Sequence, residues 1–170
     1  MRNLQEKIPG APNFRYGEFI RSKTATRLGI KNIPDEHQWR SIEALAVNVL
    51  QPVRNKFGRI KITSGFRITE LNTKIGGSEF SNHCRGEAAD IKPMKKGVTL
   101  FEVLKWIHEN LEFRNLIAEY FDDDGWVHVD FRAGSNLKRL KLRDKDHKYT
   151  DVSIKFLEEL YSKKSLESQS

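Results

Sequence analysis

His83, Asp90 and His128 are the side chains best suited to chemistry in this chain. The first two stand in Ser81-Asn82-His83-Cys84-Arg85-Gly86-Glu87-Ala88-Ala89-Asp90, the third in Trp126-Val127-His128-Val129-Asp130. Two imidazoles and a carboxylate supply three N/O donors, a set that leaves the fourth position of a catalytic zinc ion open to water. His83 and Asp90 are too far apart in sequence to be neighbouring ligands on one helix, where a spacing of three or four is needed. They suit a loop that leads into a strand, with Gly86, Ala88 and Ala89 leaving room for close packing. Each residue alone has a plainer reading: His83 as a loop histidine at the surface, Asp90 as a strand-end cap, His128 as a hydrogen-bonded structural histidine. His128 lies between two valines, so it faces away from the apolar side of its strand and needs a polar partner.

The elements that must position these groups are readable from period and punctuation. Residues 1–15 read as an extended arm punctuated by Pro9-Gly10-Ala11-Pro12. Pro34-Asp35-Glu36 starts a long core helix with Trp39, Ile42, Ala46, Val49, Leu50, Val53 and Phe57 at helical spacing, ending at Gly58. Arg59 to Ser64 alternates as a strand, and Ala88 to Ile91 reads as a second one stopped by Pro93. A helix is predicted from Thr99 to Asn110. Leu116–Phe121 and Trp126–Phe131 read as antiparallel strands around Asp122-Asp123-Asp124-Gly125, with Asp-Gly as the hairpin signal. One more helix is expected at roughly Asp151 to Tyr161, and the end from Ser165 to Ser170 is expected to be disordered.

The expected fold class is α+β: a small antiparallel sheet carrying the site, packed against the long helix and shorter ones. The expected domain plan is an arm over 1–15, one domain over 16–135 and a basic C-terminal extension over 136–170. A chain of 170 residues is long enough for one real core. Cys84 is the sole cysteine, which excludes an intramolecular disulfide and a Cys-rich zinc site. No apolar run approaches the roughly 18 residues of a membrane span, and the N-terminus lacks a signal peptide's apolar stretch. Cytoplasmic synthesis is therefore expected. The net charge of +7 favours anionic partners. The late basic run from Lys138 to Lys145 carries little aromatic interleaving, so it reads first as a solvated face and only second as a nucleic-acid contact.

Ser81-x-His83-x-x-Gly86-x-Ala88-x-Asp90 followed by Trp126-x-His128 resembles the zinc D-alanyl-D-alanine carboxypeptidase family. That family includes phage endolysins that cut the L-alanyl-D-glutamate bond, and the hedgehog signalling domain is a distant relative. Ile62-Thr63-Ser64-Gly65-Phe66-Arg67 is similar to the family's strand ending in Ser-Gly-Tyr-Arg. Leu71-Asn72, Gly76-Gly77-Ser78 and the region from Phe19 to Leu28 fit its small phage and bacterial subgroup. The resemblance covers about Phe14 to Phe131.

It implies a zinc-dependent peptidase of peptidoglycan stem peptides, with Zn2+ held by His83, Asp90 and His128. Arg67 would bind or polarise the substrate, and Ser81 would hydrogen-bond near the metal or substrate. Many relatives carry the general base three residues before the last histidine, where this chain has Gly125. Glu119 on the preceding strand is the favoured substitute, Asp124 in the turn the second. Asp130 could hold a ligand imidazole as a carboxylate partner. Cys84, His37, His108 and His147 are read as bystanders. The expected partners are peptidoglycan peptides and, through charge, anionic wall polymer. A phage enzyme of this kind would leave the host cytoplasm for the wall. The rival readings are a non-catalytic metal-binding or receptor-binding module, motivated by Gly125, and a nucleic-acid-binding protein, motivated by the basic run.

Overall fold

The computed structural model describes residues 2–119 and 125–167, with side chains described as far as residue 163. In chain order the elements are β1 (Lys7–Ile8), β2 (Ala11–Arg15), α1 (Tyr16–Ile20), α2 (Lys23–Leu28), α3 (Glu36–Leu45), a π-helical stretch (Ala46–Leu50), α4 (Gln51–Phe57), β3 (Ile60–Ser64), α5 (Thr69–Lys74), a 3-10 turn (Asn82–Arg85), β4 (Ala88–Pro93), α6 (Leu100–Asn110), β5 (Asn115–Glu119), β6 (Trp126–Asp130), β7 (Arg139–Arg143), β8 (Tyr149–Asp151) and α7 (Ile154–Glu167). The fold is α+β.

Six strands form the main sheet in the order β3-β4-β6-β5-β7-β8. All neighbours are antiparallel except β5 and β7, which run parallel. Strand alternation separates two faces. Ala89 and Ile91 of β4, Leu116 and Ala118 of β5, and Val127 and Val129 of β6 are fully buried in the core. α6 covers this apolar face, burying Val103, Leu104 and Ile107, while α4 packs against β3 and α6. Thr99 caps α6 in a reciprocal capping box with Glu102. Each such aliphatic side chain contributes about 1.5–3 kcal/mol on burial, so the core face fixes which residues turn to the opposite one.

The long helix expected from Pro34 to Phe57 is continuous but not uniform. Asp35 and Gln38 close its N-terminal capping box, and the π-helical stretch ends at Leu50, two residues before Pro52. Proline lacks the N–H that would bond the carbonyl four residues back, and its ring crowds that carbonyl. A wider turn relieves the conflict. Residues 1–15, expected as an arm, carry the β1–β2 hairpin, whose Ile8, Ala11 and Phe14 lie in the core. Within 136–170, β7 joins the main sheet and α7 docks on α6 through Leu157, Lys105–Glu158 and the stacked Phe101–Tyr161 rings. The expected disordered end falls partly on residues 168–170, outside the described residues; 165–167 belong to α7.

Gly86 ends the 3-10 turn that carries His83. Its φ is +74°, and a Cβ there would lie 2.5 Å from the Gln38 carbonyl oxygen of α3. Gly97 has a similar φ of +82° but open space around it. Gly97→Ala should cost about 1 kcal/mol, the backbone penalty alone, whereas Gly86→Ala should cost at least about 3 kcal/mol because overpacking is added. Urea unfolding of the two variants checks this; equal losses would contradict the close approach of the turn to α3.

Candidate metal centre

Sheet register brings the candidate ligands together. Asp90 pairs directly with His128 across β4 and β6, and Ile117 and Glu119 of β5 pair with His128 and Trp126. Residues opposite one another share a face, so Asp90, His128, Asp130 and Glu119 all project from the side away from α6. His83 enters from the 3-10 turn. The ligand atoms of His83, Asp90 and His128 lie within 4.8 Å of one another, and all three residues are buried.

The ring nitrogens can be assigned from their partners. His83 Nδ1 is 2.7 Å from the Gly65 carbonyl oxygen. A carbonyl only accepts, so Nδ1 carries the proton and Nε2 presents a lone pair. On His128, Nε2 lies 3.6 Å from Asp130 Oδ2, which favours a proton there and turns Nδ1 inward. Nδ1 is 2.8 Å from Asp90 Oδ1 and 3.3 Å from His83 Nε2, and that Nε2 is 3.4 Å from Asp90 Oδ1. Three acceptors thus converge on one buried point, which requires a proton or a cation between them.

The donor chemistry fits zinc. Ligand atoms held at about 2.0–2.1 Å around a tetrahedral ion are roughly 3.3–3.4 Å apart, and two of the three separations already have that value. Without a cation, a proton serves. Burial would lower the His128 pKa, but hydrogen bonding and charge from Asp130 and Asp90 overcome it and push it up to about 10. Burial would raise Asp90, yet the electrostatic pull of His83 and the hydrogen bond with His128 hold it well below the usual carboxylate range. Burial dominates at His83 and lowers its pKa, against the pull of Asp90.

Asp130 is itself anchored. Its Oδ2 accepts from Asn82 Nδ2 at 2.8 Å and Asn115 Nδ2 at 2.8 Å, and its Oδ1 accepts from the Asn115 backbone N–H at 3.1 Å. This is the carboxylate–imidazole arrangement that fixes tautomer and orientation at metal sites. Asn82 and Asn115 come from unrelated segments, with no spacing in the sequence that links either to the site.

Arg67 leaves the end of β3 and is held as a fork. Its Nη1 donates to Ser64 Oγ at 2.7 Å, its Nε to Asn72 Oδ1 at 3.2 Å and its Nη2 to Ser81 Oγ at 3.4 Å. Burial lowers its pKa from the usual guanidinium value. Ser81, expected near metal or substrate, thus bonds the arginine at the rim of the cleft. Glu119 is buried, with Oε1 3.9 Å from His128 Nδ1 and Oε2 accepting from Arg143 Nη1 at 2.7 Å. Asp124 lies outside the described residues. Cys84 is partly buried, and burial raises its thiol pKa.

Lys141 and Arg143 come from the basic run 138–145, expected first as a solvated face, and Tyr149 from β8 just beyond it. The strict alternation Arg139-Leu140-Lys141-Leu142-Arg143 was the available signal of a strand. All three line the cleft over the His83–Asp90–His128 cluster, together with Arg67, Phe80 and Glu119. The cleft encloses about 620 Å³. Among the described residues no helix is long and apolar enough to cross a membrane.

The family model described as Peptidase M15 matches residues 12–130. The matched span contains the three candidate ligands, Arg67 and Glu119, and stops before β7. No curated protein matches the chain.

Zinc added at pH 7 should expel about one proton, because a ligand imidazole protonated in the metal-free site must lose it; calorimetry in buffers of different ionisation enthalpy measures this. Asp130→Ala should weaken zinc binding by about 10–100-fold, while His128→Ala should abolish it. Wild-type affinity in Asp130→Ala would remove Asp130 from the site.

Proposed function

Since this chain belongs to the peptidase M15 family, we propose that it is a zinc peptidase cleaving peptidoglycan stem peptides, of the D,D-carboxypeptidase or L-alanyl-D-glutamate endopeptidase type, acting as a phage endolysin. The observation that carries the reading is the buried His83–Asp90–His128 cluster, which lies inside the matched span and opens on the cleft. Anionic wall polymer is the proposed secondary partner of the +7 chain.

His83 Nε2, His128 Nδ1 and an Asp90 oxygen would hold zinc, which supplies Lewis-acid polarisation of the scissile carbonyl and a water acidified toward pKa of about 7. Glu119 Oε1 accepts a proton from the attacking water and returns it to the leaving amine. The reading is supported by its position beside His128 and by the absence of a carboxylate at Gly125. Arg67 meets the substrate's carboxylate or the developing oxyanion, for which its held guanidinium fork is suited. Ser81, Ser64 and Asn72 keep that fork in place. Asp130 keeps the His128 ring in the tautomer that leaves Nδ1 open.

Mass spectrometry of digested muropeptides should reveal cleavage by the zinc-loaded protein and identify the bond. Glu119→Gln should retain zinc and lose about 10²–10⁴-fold in kcat; His128→Ala should lose zinc and activity together. Turnover that survives Glu119→Gln but not Asp124→Asn would move the base to the turn. Zinc binding with no cleavage of any muropeptide would favour the non-catalytic module instead.

A further inference from the structure

β7 lies beyond the span matched by the family, yet it reaches the reacting groups. Its parallel register with β5 sets Arg143 directly beside Glu119. Arg143 Nη1 donates to Glu119 Oε2 at 2.7 Å, and the glutamate side chain is only 7% exposed. One carboxylate oxygen is thereby fixed, which leaves Oε1 as the one turned toward His128 Nδ1, 3.9 Å away. A buried carboxylate needs such a partner.

The arginine is constrained in turn. β8 pairs Tyr149 opposite Arg143, and the guanidinium carbon stands 5.2 Å from the Tyr149 ring centroid, within cation–π range. Arg143 Nη2 is 3.1 Å from His147 Nδ1. The turn that presents both partners is tied by His147 N–H to Asp144 O at 3.1 Å, Asp144 N–H to Lys148 O at 3.1 Å and Lys148 N–H to Asp144 Oδ1 at 2.9 Å. His147 itself takes a left-handed φ of 62° there. A surface ion pair has no need of this much support.

We propose that Arg143 is the positioning residue for Glu119, so that the β7–β8 hairpin belongs to the catalytic unit. The inference rests on the reading of Glu119 as the base. Arg143 fixes the side-chain torsions of Glu119, so that Oε1 meets water already oriented over the ligand cluster instead of sampling other rotamers.

The test is a double-mutant cycle on the zinc-loaded full chain, with kcat, KM, zinc content and unfolding temperature measured for each protein. Arg143→Met should keep its zinc, lose some unfolding temperature, and lose about 10–100-fold in kcat with little change in KM. Arg143→Lys should recover most of that loss, because an ammonium can still hold Oε2. In a Glu119→Gln background, Arg143→Met should cost nothing further, since groups acting as one unit are not additive. Wild-type kcat in Arg143→Met, or an equal further loss in the Glu119→Gln background, overturns the positioning role while Glu119 stands as base. Full activity of Glu119→Gln overturns both. If Arg143→Met does not fold, Arg143→Gln takes its place in the cycle, with the same expected loss and the same overturning results.

Discussion

Asp90 faces His128 across two antiparallel strands, and His83 closes the triangle from a turn. Three acceptor atoms then share a buried space that none of them can occupy stably without positive charge between them. The other features of this face follow from that constraint. Each imidazole must commit its outer nitrogen, His83 to the Gly65 carbonyl and His128 toward Asp130. Asp130 in turn needs Asn82 and Asn115. The polar network is therefore directed inward, layer by layer, toward one point that a divalent cation fits.

A converging set of this kind survives only on a rigid support. The same strands that present Asp90, His128 and Glu119 on one side present Ile91, Val127, Val129 and Ala118 on the other, and α6 seals that side. A one-residue slip of β6 would turn the histidine into the apolar core and the valines onto the cleft face, so the apolar face sets the register and the register sets the site. The Gly65 and Gly86 region ties the His83 turn to both β3 and α3. Arg67 then extends the site sideways from the end of β3, held by residues from three separate segments.

The segments beyond the matched family span enlarge this picture. Residues 139–151 add two strands to the sheet, and their polar side chains join the wall of the cleft above the ligand cluster. The net positive charge, read from composition as a general attraction for anions, thus has a local component at the site, in Lys141, Arg143 and Arg67. The β1–β2 hairpin does comparable work for the core, where Phe14 packs near Phe19.

Residue type and local period determined much of this protein. The shared face of His128 and Asp130, α6 and the long helix were legible from strand alternation and helical period, whereas the ligand set and Arg67 were drawn from the resemblance of their motifs to a family. Tertiary structure alone decided which side chains complete the network. Asn82, Asn115 and Arg143 come from segments with no spacing that links them, and the parallel pairing of β5 with β7 is a non-local choice. It is made by burial of Leu140 against the common core, not by any preference the residues of β7 carry by themselves. The π-helical turn before Pro52 belongs to the same class: the proline announces a conflict, and only packing on both sides of the helix decides that it bends the hydrogen-bond ladder instead of ending it.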